Sequence, residues 1–210
     1  MLTKRTQHDA GLVAYYDNEV HDRATRDLPA ERLERRSSFV DLLRVEGRQS
    51  VLEIGAGAGR EGEAFAEAGL TYTGVDMAPQ AVAVCKSLGL DARVASALEL
   101  PFDDGAFDAV WTMSTLLHVP ASELPTALSE IVRVLRPGAP AAIGLWGAAT
   151  TGEELWDDGT GFGPARFFST QTDESLRTTL DVHGDVEQWK TWAGSELHHY
   201  QWAVLRTPAV

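Results

Sequence analysis

Three glycines at alternate positions, Gly55, Gly57 and Gly59, follow an apolar run that carries a carboxylate, Glu53, in the stretch "VLEIGAGAGR" (residues 51–60). Glycine lets the main chain turn sharply and lets a ligand come close to it, so this stretch is a candidate binding loop. A G-x-G-x-x-G pattern in a shifted frame, Gly57, Gly59 and Gly62, taken alone points to a dinucleotide. Two carboxylates argue otherwise. Glu53 stands where it would oppose a pyrophosphate and favour a cation, and Asp76, which ends "TYTGVD", can accept hydrogen bonds from both hydroxyls of a ribose. Together they describe a nucleoside with a positively charged tail and no phosphate.

S-adenosyl-L-methionine, with its sulfonium and ammonium groups, fits that description, and S-adenosyl-L-homocysteine would be its product. The elements that must position these residues follow from hydrophobic period and from Gly and Pro punctuation. "SVLEI", "TYTGVD", "FDAVWTM" and "APAAIGLWG" are short apolar runs of the length of buried strands. Between them lie helical patterns: Ala81, Cys85 and Leu88 in one, Leu124, Leu128, Ile131 and Leu135 in the next, which Pro137 and Gly138 stop. A further helix, with Leu33, Val40 and Leu43 on one stripe and Gly47 at its end, precedes the first strand. Such alternation means an α/β fold with a parallel sheet, right-handed crossovers and helices on both faces, and a ligand site beyond the carboxyl ends of the strands, where the glycines fall. After Gly147 the texture becomes a loop rich in Gly, Asp and Trp; then come a helix, "DESLRTTLDVHG", and two strand-like runs, "DVEQWKTW" and "HHYQWAVLRT", which read as an antiparallel pair at the sheet edge.

At "VLEIGAGAGR", "GVDMAP", "ALELPFDDGAFDAVWTMSTLLHV" and "LRPG" the chain resembles the class I S-adenosylmethionine-dependent methyltransferases, whose motifs these match in order and spacing over residues 51–146. The resemblance implies a single Rossmann-like three-layer domain over residues 1–210, with a seven-stranded, mostly parallel sheet whose last strand is antiparallel. Within it, residues 1–48 would form a helical lid, 49–147 the cofactor-binding core, and 148–210 the substrate-side loop, helix and terminal strands. It also implies that Gly55, Ala56 and Gly57 pass against the methionine part, that Asp76 holds the ribose, and that Met77 lies against the adenine. Arg60 is the candidate partner of the methionine carboxylate. Relatives often place an Asp after the third strand to accept from the adenine amino group; here "VASALELP" offers Ser96, with the backbone of Ala97 and Leu98 to read the base. Gly59 and Met113 complete the expected cofactor set.

Other residues admit two readings each. His118, just past the "FDAVWTM" strand, is a base or cavity wall, or a helix-start histidine held by backbone. Tyr15 and Tyr16 stand in the lid, where an aromatic ring can cover a sulfonium, or they anchor a helix; Tyr15 is assigned to the cofactor and Tyr16 to catalysis beside His118. Trp146, Trp156, Arg166 and Phe167, with Phe162, Phe168, Asp157 and Asp158 nearby, wall a pocket for an organic substrate or pack an ordered loop. Arg35 and Arg36 read as solvated helix charges, or one of them as reaching the carboxylate of the cofactor, and Asp108 as a structural pair or a ligand contact. His198 and His199 are strand neighbours facing opposite ways, so no metal site is expected.

A formal charge of −13 repels a phosphate backbone and argues against nucleic acid as a partner. One cysteine, Cys85, excludes an internal disulfide framework and a multi-cysteine zinc site. With no signal-like or membrane-length apolar run, the expected setting is cytoplasmic, with no membrane partner. The expected activity is methyl transfer to an O or N atom of a small-molecule acceptor; a protein or tRNA substrate, an NAD-dependent oxidoreductase, and a cofactor-binding regulator without chemistry stay as alternatives. Acceptor identity and oligomeric state are not legible.

Overall fold

The computed structural model describes residues 4–195 and 197–209. Two helices come first, α1 (Lys4–Thr25) and α2 (Ala30–Val45), followed by β1 (Ser50–Ile54), α3 (Arg60–Glu67), β2 (Thr71–Asp76), α4 (Pro79–Ser87) and β3 (Asp91–Val94). The second half runs β4 (Val110–Met113), a 3-10 turn at Leu116–His118, α5 (Leu124–Val134), β5 (Pro140–Ala148), β6 (Gly152–Trp156), β7 (Arg166–Thr170), α6 (Asp173–Asp181), β8 (Asp185–Ala193) and β9 (His198–Arg206).

Seven strands form one sheet in the order β3-β2-β1-β4-β5-β9-β8. Neighbours from β3 to β5 are parallel, whereas β9 pairs antiparallel with β5 on one side and β8 on the other. The five central strands of the sheet are buried on both faces, and the alternation of side chains shows it. Leu52, Ile54, Val110, Ile143 and Leu205 point into one apolar cluster with Leu128 and Ile131 of α5 and Leu176 of α6. Their neighbours Val51, Trp111, Ala142 and Val204 point into the other, with Phe39 and Leu43 of α2, Phe65 of α3 and Cys85 of α4.

Three local expectations are corrected. The segment after Gly147 is not loop throughout: Gly152–Trp156 and Arg166–Thr170 pair as an antiparallel hairpin. Its first strand is exposed at every residue, so no alternation marks it in the sequence. Leu33 is 40% exposed, and Phe39 takes the buried stripe of α2 with Val40 and Leu43. Leu88 falls one residue beyond α4 and is exposed.

Candidate active site

The glycine loop leaves β1 at Ile54 and turns back into α3. Gly55, Gly57 and Gly59 have φ of +85°, +51° and +78°, a region that side chains rarely adopt. The loop is clamped to β2: Gly55 and Ala56 donate backbone N–H to the Val75 carbonyl at 2.8 and 3.0 Å, and Gly57 N–H donates to Asp76 Oδ2 at 2.9 Å. A Cβ on Gly55 would lie 1.9 Å from Thr115 Oγ1, so this glycine is also required by close packing. Gly62 has a different task. A Cβ there would meet Tyr72 Cζ at 2.6 Å, so the shifted glycine pattern ends in helix-to-strand packing between α3 and β2.

Asp76 accepts from Gly57 N–H through Oδ2 and from Ala78 N–H through Oδ1, each at 2.9 Å. Each oxygen keeps a lone pair for a further donor. Burial pushes its carboxyl above the ordinary range despite those two bonds. Glu53 is more extreme: only 2% exposed, it accepts from the Tyr72 hydroxyl at 2.6 Å. Burial, then the Glu61 carboxylate nearby, raises its pKa well above the ordinary value, so the carboxyl favours its protonated form when no cation faces it.

These groups border a cavity of ≈ 1290 Å³, its open mouth included. Glu53, Gly55, Ala56, Gly57, Arg60, Asp76, Met77, Ser96, Ala97, Leu98 and Met113 line it, as do Tyr16 and His118. Gly59 does not; it caps the N-terminus of α3. Arg60 reaches the border, but its Nη1 donates to the carbonyls of Ala24 and Arg26 and so caps the end of α1. Ser96 Oγ accepts from Leu98 N–H at 3.2 Å, which shapes the loop.

The far wall is built by α1 and the 3-10 turn that carries His118, with the β6–β7 hairpin packed behind them. His118 is held by two bonds: Nδ1 to the Phe167 carbonyl at 2.8 Å and Nε2 to the Tyr16 hydroxyl at 2.7 Å. Burial pushes its pKa down to about 3, and Arg166 and Arg23 add to the shift, so the ring is neutral. Tyr16 is raised by burial and stays a phenol. Tyr15 is turned away from the cavity, donating to Asp158 Oδ2 at 2.5 Å with the Arg166 guanidinium 4.1 Å over its ring. Arg166 bonds Asp158 at 2.7 Å and Tyr16 Oη at 3.2 Å. Trp146 and Trp156 pack on Phe168, and Phe167 contributes its carbonyl to His118. Trp146, Trp156, Arg166 and Phe167 thus form the layer behind the cavity wall, not the wall itself.

Some lining residues were not read from the sequence. Glu19, Arg23, Arg32 and Glu61 border the cavity. Glu19 is buried and paired with Arg23, four residues on along α1 and a legible ion-pair signal, and with Arg26 just past the helix end. Glu61 takes Arg32 and Arg36 of α2 on its two oxygens, at 2.5 and 2.9 Å. Arg35 is buried with its guanidinium over Trp202, and Asp108 accepts from Gln49 and Ser50 and pairs with Arg136, a structural role. His199 bonds Asp173 while His198 packs on Trp146. Among the described residues no three His, Cys, Asp or Glu side chains gather as a metal site, and no helix is long and apolar enough to cross a membrane.

Residues 52–143 match the family model described as a methyltransferase domain. A methyltransferase of Streptomyces halstedii, GfsG, is 31% identical over 147 residues, 63% of this chain and 52% of its own. A ubiquinone biosynthesis O-methyltransferase of Xanthomonas oryzae pv. oryzae is 40% identical over 96 residues, 42% of this chain and 39% of its own. The chain therefore spans about half or less of the length of these curated relatives. The fold superposes with a TM-score of 0.75 on 1,6-didemethyltoxoflavin-N1-methyltransferase of Burkholderia thailandensis, solved with 1,6-didemethyltoxoflavin and S-adenosylhomocysteine; that likeness covers 99% of this chain and 92% of that one at 21% identity. Residues 52–143 thus match a methyltransferase domain, and the chain shares its fold with a methyltransferase solved with S-adenosylhomocysteine.

Proposed function

We propose that this chain transfers a methyl group from S-adenosylmethionine to an oxygen or nitrogen of a small organic acceptor, in the cytoplasm. The carrying observation is the single cavity that joins the glycine loop and Asp76 to Tyr16 and His118 beneath α1. Its first half suits an adenosine with a cationic tail. Asp76 keeps one lone pair per oxygen for the two ribose hydroxyls, Met77, Ala97 and Leu98 offer apolar walls to a base, and Glu53, its pKa raised by burial, borders the cavity where an arriving cation would favour its ionised form. When bound, S-adenosylmethionine supplies an electrophilic methyl carbon on a sulfonium. The chain's part is alignment and exclusion of water: α1 roofs the site, tied down by Asp17 accepting from Gln80 N–H at 2.8 Å and Asn18 donating to the Phe162 carbonyl at 2.7 Å.

Named relatives methylate an oxygen and a nitrogen, which supports a small acceptor of either kind. The net charge speaks against tRNA. Titration calorimetry tests the reading: micromolar affinity for S-adenosylhomocysteine and none for NADH is expected, with Asp76→Ala weakening the former about 100-fold through two lost charge-assisted hydrogen bonds. Binding of NADH alone would overturn it.

A further inference from the structure

Resting on the methyl-transfer reading, we infer that Tyr16 and His118 form a proton relay braced by the Phe167 carbonyl, and that the methylated group is an un-ionised, phenol-like hydroxyl. A carbonyl oxygen only accepts, so His118 Nδ1, 2.8 Å from that of Phe167, carries the ring proton. Nε2 then presents a lone pair, and the Tyr16 hydroxyl 2.7 Å away donates to it. Arg166 Nη1 donates to the same phenol oxygen at 3.2 Å. One lone pair of Tyr16 Oη is left, and both Tyr16 and His118 border the cavity. An incoming hydroxyl can donate into that lone pair.

The step balances. The acceptor oxygen forms a bond to the methyl carbon as the carbon–sulfur bond breaks and its electron pair goes to sulfur. The acceptor's proton passes to Tyr16 Oη while Tyr16's own proton passes to His118 Nε2, so the positive charge that leaves sulfur ends on the imidazolium.

The acceptor class follows from what this relay can and cannot take. A carboxylate brings no proton to pass on. An ammonium would have to lose its proton beforehand to a histidine that burial has made a weak base, with pKa about 3. A hydroxyl gives up its proton only as the new carbon–oxygen bond turns the oxygen strongly acidic, so a weak base suffices. The nearest guanidiniums are already engaged, Arg166 by Asp158 at 2.7 Å and Arg23 by Glu19 at 2.8 Å, so neither is free to pair with an ionised acceptor.

The test compares phenol, un-ionised at mildly alkaline pH because phenols titrate near ~10, with para-nitrophenol, which is ionised there and needs no proton removed. With the purified chain and labelled S-adenosylmethionine, Tyr16→Phe and His118→Gln should each lower kcat for phenol about 100-fold. Both variants should leave para-nitrophenol much less affected and keep the parent's affinity for S-adenosylhomocysteine. Equal losses for both acceptors, no loss for either, or a parent chain that methylates amines or carboxylates but neither phenol would overturn the relay and the hydroxyl assignment. A parent chain that fails to bind S-adenosylhomocysteine would instead overturn the reading beneath it.

Discussion

Gly55→Ala is the substitution whose cost follows most directly from the geometry. The new methyl would lie 1.9 Å from Thr115 Oγ1 and 2.8 Å from both Thr115 Cβ and Cγ2, at a residue with φ of +85°. Left-handed backbone costs a side chain about 1–2 kcal/mol, and overpacking a tight contact about 1–3 kcal/mol. The sum is about 2–5 kcal/mol, and in a chain of this size each kcal/mol lowers Tm by ~2–4 °C. A fall of about 10 °C is therefore expected by differential scanning calorimetry. Thr115→Ala on the same background removes two of the three clashing atoms and should restore about half of the loss, leaving the backbone strain. A fall of under about 2 °C, or a double variant no more stable than Gly55→Ala alone, would refute the packing argument.

Three further outcomes are expected. His118 has a folded-state pKa of about 3 against an ordinary 6.5, so the unfolded chain binds its proton first; stability should decline as pH falls from about 6.5 towards 3, by at most ~5 kcal/mol. Urea unfolding of His118→Asn should show a flatter acid limb, and an unchanged slope would refute the assignment. Glu53 has the opposite sign: its raised pKa means that stability is lost as pH rises above the ordinary carboxyl value, so Glu53→Gln should gain on the parent chain between weakly acidic and neutral pH, and a variant that loses ground over that range would show the carboxyl to be ionised. Glu61→Gln removes the charge opposing Arg32 and Arg36, each about a fifth exposed, and should cost about 3 kcal/mol by urea midpoint; a cost under ~1 kcal/mol would mean that solvent already screens the pairs.

What was legible in the sequence is what is local. The runs at Ser50–Ile54, Thr71–Asp76 and Pro140–Ala148 are buried over most of their length on both faces, so apolar residues occur at successive positions, and the glycines and Asp76 sit at their ends. The stripe Leu124, Leu128, Ile131, Leu135 is read from period alone. What depends on tertiary placement was not legible. Arg60 reads as a free cation until the end of α1 arrives to use it, and Tyr15 and Tyr16, adjacent in sequence, separate into a partner of Asp158 and a partner of His118 because a helix turns them apart. The strand Asp91–Val94 buries one residue of four, and Gly152–Trp156 none, so neither writes a strand pattern into its composition.

The order of the sheet bears on how the chain is made. Its last strand in sequence, β9, lies between β5 and β8 and pairs with both along its length. While the nascent chain leaves the ribosome, the β5 edge therefore stays open until residues 198–206 have been synthesised, and β8, made earlier, has no strand to pair with. An unpaired, largely apolar edge in the growing polypeptide invites association with other chains, so chaperone demand during synthesis should concentrate in that late interval.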